Sequence, residues 1–516
     1  MMKIAIVSLR PSLQKGEDPK SKVWTEDLGV SCLSAVLEDL DHEAVIFDQA
    51  IGNATDSEIA EAVVVFQPNL IGFTESNNTI LRMLKVAGRC RKALTNAVLL
   101  LGDIIPSHYA DDFIEASMPF DAVCIGEGEA TLLEVVDKLA KGHPLDGVPG
   151  LLTKKSGRRT YTPRDKIEDL SGLPKAKRYF LPTRTAEERR DADAMILGSR
   201  GCIGACSFCG TRPFEDLGKG RVWRGRDPVE IVDEMESIVT EYGIRSFTFV
   251  DSNWVGPPSP QNRQRILAFC DEILKRNLKV SFLLSSRPDF FRIPQDAELL
   301  LALKEAGIRS LFIGVENGFR PTLKLFNKGG VTPESIAECI DFLRSLGVLP
   351  RIGFICFHPF ATREELLHNI DYLHRIRSDH LVRSFANKLN LYGHYSIYEI
   401  IKNAGLLRSV EPRWLPQKYG MASREVGEIA DLLERIYPSF VQLDGEIDRL
   451  EVRLWTSGAA GRQEADQLQA EIAAIYRELF TDFVNLHVSP DRAREAAGKA
   501  RLVCDRVKSA SFGVRC

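Results

Sequence analysis

The chain has 516 residues, of which 44% are hydrophobic and 27% charged, and its formal net charge is −4. This composition is typical of an ordinary soluble globular protein of two or three domains, and without a basic run it argues against a nucleic-acid partner. No apolar stretch approaches the ~20 residues of a membrane-spanning helix, and eleven cysteines in a chain of this length do not form a secreted disulfide framework, so we expect a cytoplasmic protein.

Residues 1–140 alternate five short apolar runs with amphipathic segments. The runs are residues 4–9, 44–47, 70–73, 97–101 and 122–125. The first run predicts a strand rather than a signal peptide. Fully apolar strands separated by helices predict a parallel sheet that is covered on both faces. We therefore expect a flavodoxin-like, doubly wound α/β domain, whose ligands lie beyond the carboxyl ends of its strands.

Small and polar residues follow the third, fourth and fifth of these predicted strands. They are Ser76, Asn77, Gly102, Asp103, Gly126, Glu127 and Gly128. Taken alone they are ordinary turn residues. At the carboxyl edge of a parallel sheet they are also candidate ligand contacts.

The remaining chain divides into three regions. Residues 141–192, rich in Pro and Gly, predict a connector with a short hairpin and a crossover. Residues 193–410 resume the alternation, with strands expected at 195–198, 246–250, 280–284, 310–314 and 353–357. This pattern predicts a (β/α) barrel with its chemistry at the strands' carboxyl ends.

Residues 411–516 predict a helical region. Apolar residues recur at three- and four-residue steps over 421–455 and 462–486, with a kink expected at Pro438. We interpret this helical hairpin as a packing element or a dimer surface. The chain ends in Arg515-Cys516. A terminal cysteine is usually a loose bystander, and the alternative is a catalytic Cys516 that reaches the barrel mouth as a substrate or metalloid ligand.

Three cysteines, Cys202, Cys206 and Cys209, lie on a glycine-rich loop after the first barrel strand, with gaps of three and two residues. Soft thiolates at such spacing select zinc or an iron–sulfur cluster. Structural zinc normally takes four protein ligands, and no nearby Cys or His completes this set. A [4Fe–4S] cluster held by three thiolates keeps one iron open. The alternative is that the three cysteines bind no metal and are ordinary buried residues that pack against their neighbours.

This loop, with aromatic Phe208 before its last cysteine, resembles that of the radical S-adenosylmethionine (SAM) superfamily. The resemblance implies a partial (β/α)6 barrel whose open iron chelates the amino and carboxylate groups of SAM. An electron from an external flavodoxin or ferredoxin then cleaves SAM to a 5′-deoxyadenosyl radical, which abstracts hydrogen from a small-molecule substrate.

The same resemblance implies SAM contacts at the ends of the barrel strands. Asp251, Ser252 and Asn253 would meet the SAM amino group, and Arg287, after Ser286, would bind its carboxylate at two points. Glu316 and Asn317 match the family's Gly-x-Glu-Ser-Gly with Asn in place of Ser. The other implied contacts are Phe208, Phe354 and Pro359. Each residue alone is more often a hydrogen-bonding residue of a barrel rim.

The N-terminal region resembles the cobalamin-binding domain that precedes the barrel in one branch of that superfamily. Gly126-Glu127-Gly128-Glu129 carries most of this likeness. Asp103 stands where the family usually has a second glycine, and without an Asp-x-His-x-x-Gly motif no histidine is expected under cobalt. The alternative is a domain kept for its fold after losing its cofactor.

The resemblance therefore implies an enzyme that uses a [4Fe–4S] cluster, SAM and cobalamin to methylate an unactivated carbon of a small molecule or natural-product intermediate. The first alternative is cobalamin-independent radical chemistry, such as a dehydration, a rearrangement or transfer of the 3-amino-3-carboxypropyl group of SAM. The second is a non-catalytic iron–sulfur sensor or electron carrier, which would leave Asp251, Arg287 and Glu316 unexplained.

Overall fold

The computed structural model describes residues 1–11, 25–38, 40–75, 79–155, 161–190, 192–328, 330–486 and 489–512. Its two main sheets follow one another along the chain, and a helical region packs against the second. Among the described residues, no helix has the length and apolar character needed to cross a membrane.

The first sheet has six strands in the order β2-β1-β3-β4-β5-β6, with the first five parallel and β6 antiparallel to β5. The strands are β1 (Lys3–Ser8), β2 (Glu43–Asp48), β3 (Leu70–Thr74), β4 (Val98–Gly102), β5 (Ala122–Cys124) and β6 (Leu151–Thr153). The helices are α1 (Leu28–Ala35), α2 (Asp56–Phe66), α3 (Ile80–Ala93), α4 (Ile104–His108), α5 (Ala110–Phe113) and α6 (Glu129–Ala140). The 2-1-3-4-5 order confirms the doubly wound class, which has its switch point between β1 and β3.

Local sequence accounts for these elements. Strand β1 is apolar and buried along almost its whole length, as expected of a strand covered on both faces. Helix α2 begins with a capping box, in which Thr55 and Glu58 satisfy each other's backbone N–H groups. Helix α3 buries residues at helical spacing, among them Met83, Val86 and Cys90.

A connecting segment follows, with 3-10 helices at Leu170–Gly172 and Leu181–Thr183 and a short helix α7 (Ala186–Arg190). Tyr179 on this segment donates its hydroxyl to Asp48 Oδ2 of the first sheet at 2.7 Å. Arg178 pairs with Glu26 and with Glu234 of the barrel. The segment is therefore attached to both sheets.

The second sheet has five parallel strands in the chain order β7-β10-β11-β12-β13, which is the order of a barrel. The strands are β7 (Asp193–Ile196), β10 (Ser246–Phe249), β11 (Ser281–Ser286), β12 (Ile308–Glu316) and β13 (Leu349–Phe354), and a short antiparallel ribbon is made by β8 (Ser199–Gly201) and β9 (Trp223–Gly225). A parallel bridge from Phe357 to Lys388 occupies the sixth position.

Helices cover the outside of this open barrel. They are α8 (Thr211–Glu215), α9 (Pro228–Tyr242), α10 (Pro260–Lys275), α11 (Ala297–Ala306), α12 (Arg320–Leu325), α13 (Pro333–Ser345), α14 (Arg363–Arg375), α15 (Val382–Ala386) and α16 (Ile397–Asn403). Most of the long ones begin at a Ser, Thr or Asp cap followed by Pro, a sequence that favours a helix start.

The C-terminal region comprises a two-residue ribbon and four helices. They are β14 (Leu407–Arg408), β15 (Lys418–Tyr419), α17 (Arg424–Ile436), α18 (Val441–Thr456), α19 (Ala459–Val484) and α20 (Pro490–Phe512). A 3-10 turn at Tyr437–Ser439 separates α17 from α18, because Pro438 cannot donate a helical hydrogen bond. Phe480 stacks on Phe385 of the barrel at 4.6 Å between ring centroids. The region therefore packs onto the barrel.

Candidate active site

The three thiols of the cysteine loop each receive one hydrogen bond. Cys202 follows β8 directly, and Cys209 lies just before α8. All three side chains are half-buried. The donors are Gly204 N to Cys202 Sγ at 3.3 Å, Arg287 Nη1 to Cys206 Sγ at 3.4 Å and Thr211 N to Cys209 Sγ at 3.5 Å. The Gly204 N–H and the charge of Arg287 favour the thiolates of Cys202 and Cys206, but burial has the larger effect and raises the pKa of both thiols.

The segment after α12 supports this loop from the other side. Ser207 N donates to Phe326 O at 3.0 Å, and Ser207 Oγ donates to Leu325 O at 2.9 Å. Asn327 Nδ2 donates to Ala205 O at 2.7 Å. Phe208 packs edge-on against Phe326, with 4.9 Å between the ring centroids. Residues 325–327, which are far from the cysteine loop in sequence, therefore hold the loop in place.

Two glycines of the loop are required by close contacts. Gly201 has φ +82°, and a Cβ there would lie 1.9 Å from Val222 O. A Cβ at Gly204 would lie 2.0 Å from Arg287 Nη1. The absence of a side chain at Gly204 is therefore what allows Arg287 to approach Cys206.

Three thiols on one loop are a donor set that fits a [4Fe–4S] cluster. Among the described residues, no three His, Cys, Asp or Glu side chains meet as they would around a single metal ion. A cluster binds each thiolate at a different iron, so the thiols need not converge on one point.

The residues expected near SAM lie along the carboxyl ends of β10 and β11, where several already hold one another. Asp251 accepts from Ser199 Oγ and from Gly198 N, and burial raises the pKa of Asp251 to about 6. Asn253 Oδ1 accepts from Arg287 N at 3.4 Å. These bonds join the rim to the loop that leads into the cysteines.

Ser252 and Ser286 differ in exposure. Ser252 is exposed, and its hydroxyl accepts from Thr211 Oγ1 at 3.4 Å. Ser286 is buried and donates to Arg287 O at 2.8 Å. Of the two, Ser252 is the one available to a ligand.

Arg287 makes a two-point ion pair within its own loop. Its Nε and Nη2 donate to Asp289 at 2.9 and 2.7 Å. The remaining nitrogen, Nη1, faces Cys206 Sγ. The Arg287 guanidinium, which we expected to bind the carboxylate of SAM at two points, therefore already binds the carboxylate of Asp289 in this way.

Glu316, at the end of β12, has φ +66° and accepts from Lys328 Nζ at 2.7 Å. Its neighbour Asn317 is buried and donates Nδ2 to Ile355 O and to Glu365 Oε1. A positive φ at a glutamate is strained, and such strain concentrates at functional sites.

The segment after β13 is packed into the barrel rim. Phe354 and Pro359 are buried, and Pro359 O accepts from Ala422 N at 2.7 Å. His358 is also buried, with Nε2 at 3.0 Å from Glu365 Oε1. His358 therefore belongs to an internal network with Glu365.

A cavity lies between the carboxyl edge of the first sheet and the barrel. Its walls are mostly apolar or glycine on the sheet side and mixed on the barrel side. The sheet contributes Gly72, Thr74, Leu100, Gly102, Gly126 and Gly128, and the barrel contributes Leu197, Arg200, Thr211, Phe214, Asp251 and Ser252. Thr211 connects this cavity to the cysteine loop through its contact with Cys209.

Asp103 lies on the cavity wall with φ +99°, which a glycine would adopt without strain. Its carboxylate accepts from Thr74 Oγ1 at 2.9 Å and from Ile104 N at 2.6 Å, where it caps α4. Desolvation raises the pKa of Asp103 to about 6. Ser76, Asn77 and Cys516, which the sequence analysis also proposed, lie outside the described residues.

Gly126 and Gly128 line the cavity, and the acidic residues beside them pair with the barrel. Glu127 Oε1 accepts from Arg224 at 2.8 Å and lies 3.2 Å from Arg200. Glu129 pairs with Arg200. Arg200 belongs to β8, directly before the cysteine loop. The Gly-Glu-Gly-Glu loop therefore connects the first sheet to the cluster loop.

The sequence matches two families. Residues 196–373 match the radical SAM superfamily, and residues 20–136 match the B12 binding domain. The chain belongs to the radical SAM superfamily. It is a radical SAM enzyme of the branch with an N-terminal B12-binding domain, and its cofactors are a [4Fe–4S] cluster, SAM and cobalamin.

Similar proteins include an uncharacterized methyltransferase of Pyrococcus horikoshii, 27% identical over 354 residues that make up 68% of this chain and 74% of the relative. The anaerobic magnesium-protoporphyrin IX monomethyl ester cyclase of Synechocystis is 28% identical over 332 residues, 62% of each chain. The chain thus spans less than two thirds of that cyclase.

Among solved structures, the cobalamin-dependent SAM radical enzyme OxsB with aqua-cobalamin and SAM bound superposes with a TM-score of 0.74 at 17% identity, over 99% of this chain and 80% of that one. This similarity shows that the two proteins share a fold. The glycine-lined sheet edge fits a large flat cofactor, since among the described residues only Cys124 Cβ lies within 4 Å of the point where a Gly102 side chain would begin, at 3.9 Å.

Several residues of this site had no signal in the sequence. Lys328 and Asp289 reach it from loops with no motif of their own, and Thr211 is the first residue of α8. Arg200 precedes the three cysteines in sequence and Arg224 follows them. The position of Arg200 directly before the cysteine loop is a sequence signal that could have identified it as a site residue.

Proposed function

We propose that this radical SAM enzyme methylates an unactivated carbon of a small molecule. The observation that carries the proposal is the cavity, because residues of the B12-binding domain and of the barrel rim form its two walls. Ligands of doubly wound sheets and of barrels both lie at the carboxyl ends of the strands. Here those two edges face each other.

When bound, the cluster and SAM supply the radical, and cobalamin supplies the methyl carrier. The chain's residues would position these groups. Cys202, Cys206 and Cys209 would hold the cluster, and Arg287 Nη1 would stabilise the charge on Cys206. Glu316 would bind SAM, and Gly102, Gly126 and Gly128 would lie against the corrin.

The largely apolar wall would exclude water from the radical. Thr211 and Ser252 place hydroxyl groups at the boundary between the two walls. A substrate held there would meet both cofactors. We further propose that an external flavodoxin or ferredoxin supplies the electron.

The second candidate is a ring closure or rearrangement without methyl transfer. The similarity to the Synechocystis cyclase favours it, because the chain is 28% identical to that cyclase and 27% identical to the Pyrococcus horikoshii methyltransferase. In this case the same cofactors would be used, and the substrate radical would close a ring or rearrange instead of receiving a methyl group.

The experiment follows an isotopic label in the methyl group of SAM. Anaerobically reconstituted protein is given hydroxocobalamin, reductant and labelled SAM without substrate. Methyl transfer predicts S-adenosylhomocysteine and label in the corrinoid fraction. Formation of 5′-deoxyadenosine with all label retained in methionine would favour the second candidate instead. A Cys206→Ala variant serves as the control for cluster-dependent cleavage, and Cys270→Ala serves as the matched control, because Cys270 is buried in α10.

A further inference from the structure

The barrel has an inner surface that the function described so far does not use. Side chains alternate between the two faces of a strand, and on β12 Leu311 and Ile313 are buried in the core that the barrel shares with its helices. Phe312, between them, therefore faces the barrel interior, where it is 40% exposed. Val250, directly after β10, is 45% exposed and also lines the cavity. The interior is thus open and connects with the cavity.

Arg351 on β13 shares this inner face with Phe312. The two residues are paired in register. A Cβ at Gly353, two residues further along the same face, would lie 2.9 Å from Phe312 Cζ, so the ring leans toward the carboxyl end of β13. The Arg351 side chain runs to α18, where its Nη2 donates to Asp448 Oδ2 at 2.7 Å. The inner wall therefore offers an apolar ring with a guanidinium beside it.

Arg351 keeps hydrogen-bond donors that a ligand could use. Its side chain is 29% exposed, and among the described residues its one acceptor is Asp448. The other oxygen of that carboxylate accepts from Arg383 Nη2 at 2.9 Å, so two guanidinium groups share one carboxylate. The nearby Asp444 is buried and accepts from the backbone N–H groups of Val382 and Arg383. Nε and Nη1 of Arg351 are therefore available to an anion.

A second arginine lines the amino end of the interior. Arg309 Nη2 donates to Asp193 Oδ2 at 2.5 Å, and its Nη1 donates to Ser246 Oγ and Phe247 O, both at 3.0 Å. Burial lowers the pKa of Arg309, Asp193 opposes this effect, and the positive charge of Arg351 adds to it. The two arginines repel each other, and an anion beside them would reduce that repulsion.

We propose that the substrate is a small organic anion that binds in the barrel interior, with its carboxylate or phosphate group on Arg351 and its apolar part on Phe312. A guanidinium can bind either group at two points. From Arg351 to the carboxyl end of β13 at Phe354 is three residues, about 10 Å. A substrate of that length would present its other end to the cavity. This inference rests on the proposed function, because it names the substrate class of the same site.

The test uses phenyl phosphate and phenylacetate as anionic probes and phenylacetamide as a neutral probe. Binding is measured by ligand-observed NMR on anaerobically reconstituted protein that is saturated with SAM and contains no reductant. Wild-type protein should bind at least one anion about tenfold or more tightly than phenylacetamide, and the better anion identifies the group. Arg351→Met should remove this preference without changing the binding of phenylacetamide. Arg375→Met, which breaks an exposed ion pair with Asp341 on the outer helices, is the matched control and should keep the preference.

An equal preference in wild type and Arg351→Met would overturn the inference. So would a wild-type protein that binds none of the probes, or that binds the neutral probe as well as the anions. Arg351→Met should fold, because Asp448 keeps its pair with Arg383.

If Arg351→Met does not fold, Arg351→Lys keeps the charge, loses the two-point contact and should retain only part of the preference. An undiminished preference in Arg351→Lys would then contradict the inference. Absence of methyl transfer from labelled SAM, with the anion preference intact, would contradict the proposed function and not the anion site.

Discussion

At the scale of single residues, the candidate site is built from charges that are each partly paired before any cofactor arrives. Asp251, Asp103, Arg287 and Glu316 all make protein hydrogen bonds. A buried charge without a partner would cost several kcal/mol. SAM or cobalamin must therefore either make additional hydrogen bonds to these charged groups or replace their present partners. Charged groups that can still donate or accept a further hydrogen bond are the best candidates for contact.

Asp103 leads to a prediction about pH. Desolvation raises its pKa from 3.8 to about 6. A carboxyl group whose pKa is raised by folding contributes stability that is complete below pH 3.8 and lost as the pH rises through about 6. Asparagine also tolerates a positive φ, so Asp103→Asn should gain stability over wild type as the pH rises, on the order of 3 kcal/mol at pH 8.

Thermal unfolding of both proteins between pH 5 and pH 8 would measure this gain. Asp41→Asn, at an exposed position of the same domain, is the control. A difference between Asp103→Asn and wild type that stays constant over the whole pH range would contradict the raised pKa.

The sequence predicted those site residues whose signal is local. Cys202, Cys206 and Cys209 lie within one stretch of eight residues, and Glu316 belongs to a short motif with Gly314. Lys328 and Asp289 could not be predicted, because their partners become neighbours only when the strands assemble. The structure also supplies the physical reason for the glycine of that motif, since a side chain at Gly314 would collide with Lys328.

At the scale of elements, the loop between β5 and α6 and the ribbon strand β8 hold the two sheets together. Glu129 is 5% exposed and pairs with Arg200. Arg224, 1% exposed, pairs with Glu127 and with Glu215. These pairs place the last residues before Cys202 against the B12-binding domain. The position of the cluster loop therefore depends on that domain.

Glu129→Gln should consequently disturb the cluster as well as the fold. Removing one partner of a buried ion pair costs up to about 3–5 kcal/mol, and Arg200, which would keep its contact with Glu127 at 3.2 Å, lies two residues before Cys202. We expect a lower unfolding temperature and a lower iron content after reconstitution. Glu134→Gln on the same helix, which breaks the more exposed pair with Arg164, should change both by much less. Normal iron content in Glu129→Gln would show that the pair is not needed to hold the loop.

The elements that could be predicted are those with a strong pattern. The apolar runs predicted every parallel strand of both sheets to within a few residues at each end. The three-residue strands β6, β8 and β9 are too short to show a period. Helix α20 was not expected as an element of its own, because its sequence is rich in Ala, Arg and Lys and its apolar face is narrow.

At the scale of the whole molecule, the two sheets turn their carboxyl edges toward one cavity. The connecting segment, through Arg178 and Tyr179, attaches to both sheets, and the C-terminal helices pack on the barrel. The proposed function therefore requires that cobalamin binds in this cavity.

Retention of cobalamin by a variant with a filled cavity tests this claim most directly. A leucine at Gly102 would begin 3.9 Å from Cys124 Cβ, without backbone strain, and would extend into the cavity. Leucine at Gly88, which has open space around it on α3, is the matched control. Anaerobic protein supplied with hydroxocobalamin is passed through gel filtration and its corrinoid is measured by absorbance. We expect an equimolar, base-off corrinoid in wild type and Gly88→Leu and little in Gly102→Leu. Equal retention in all three proteins, or none in wild type, would contradict it.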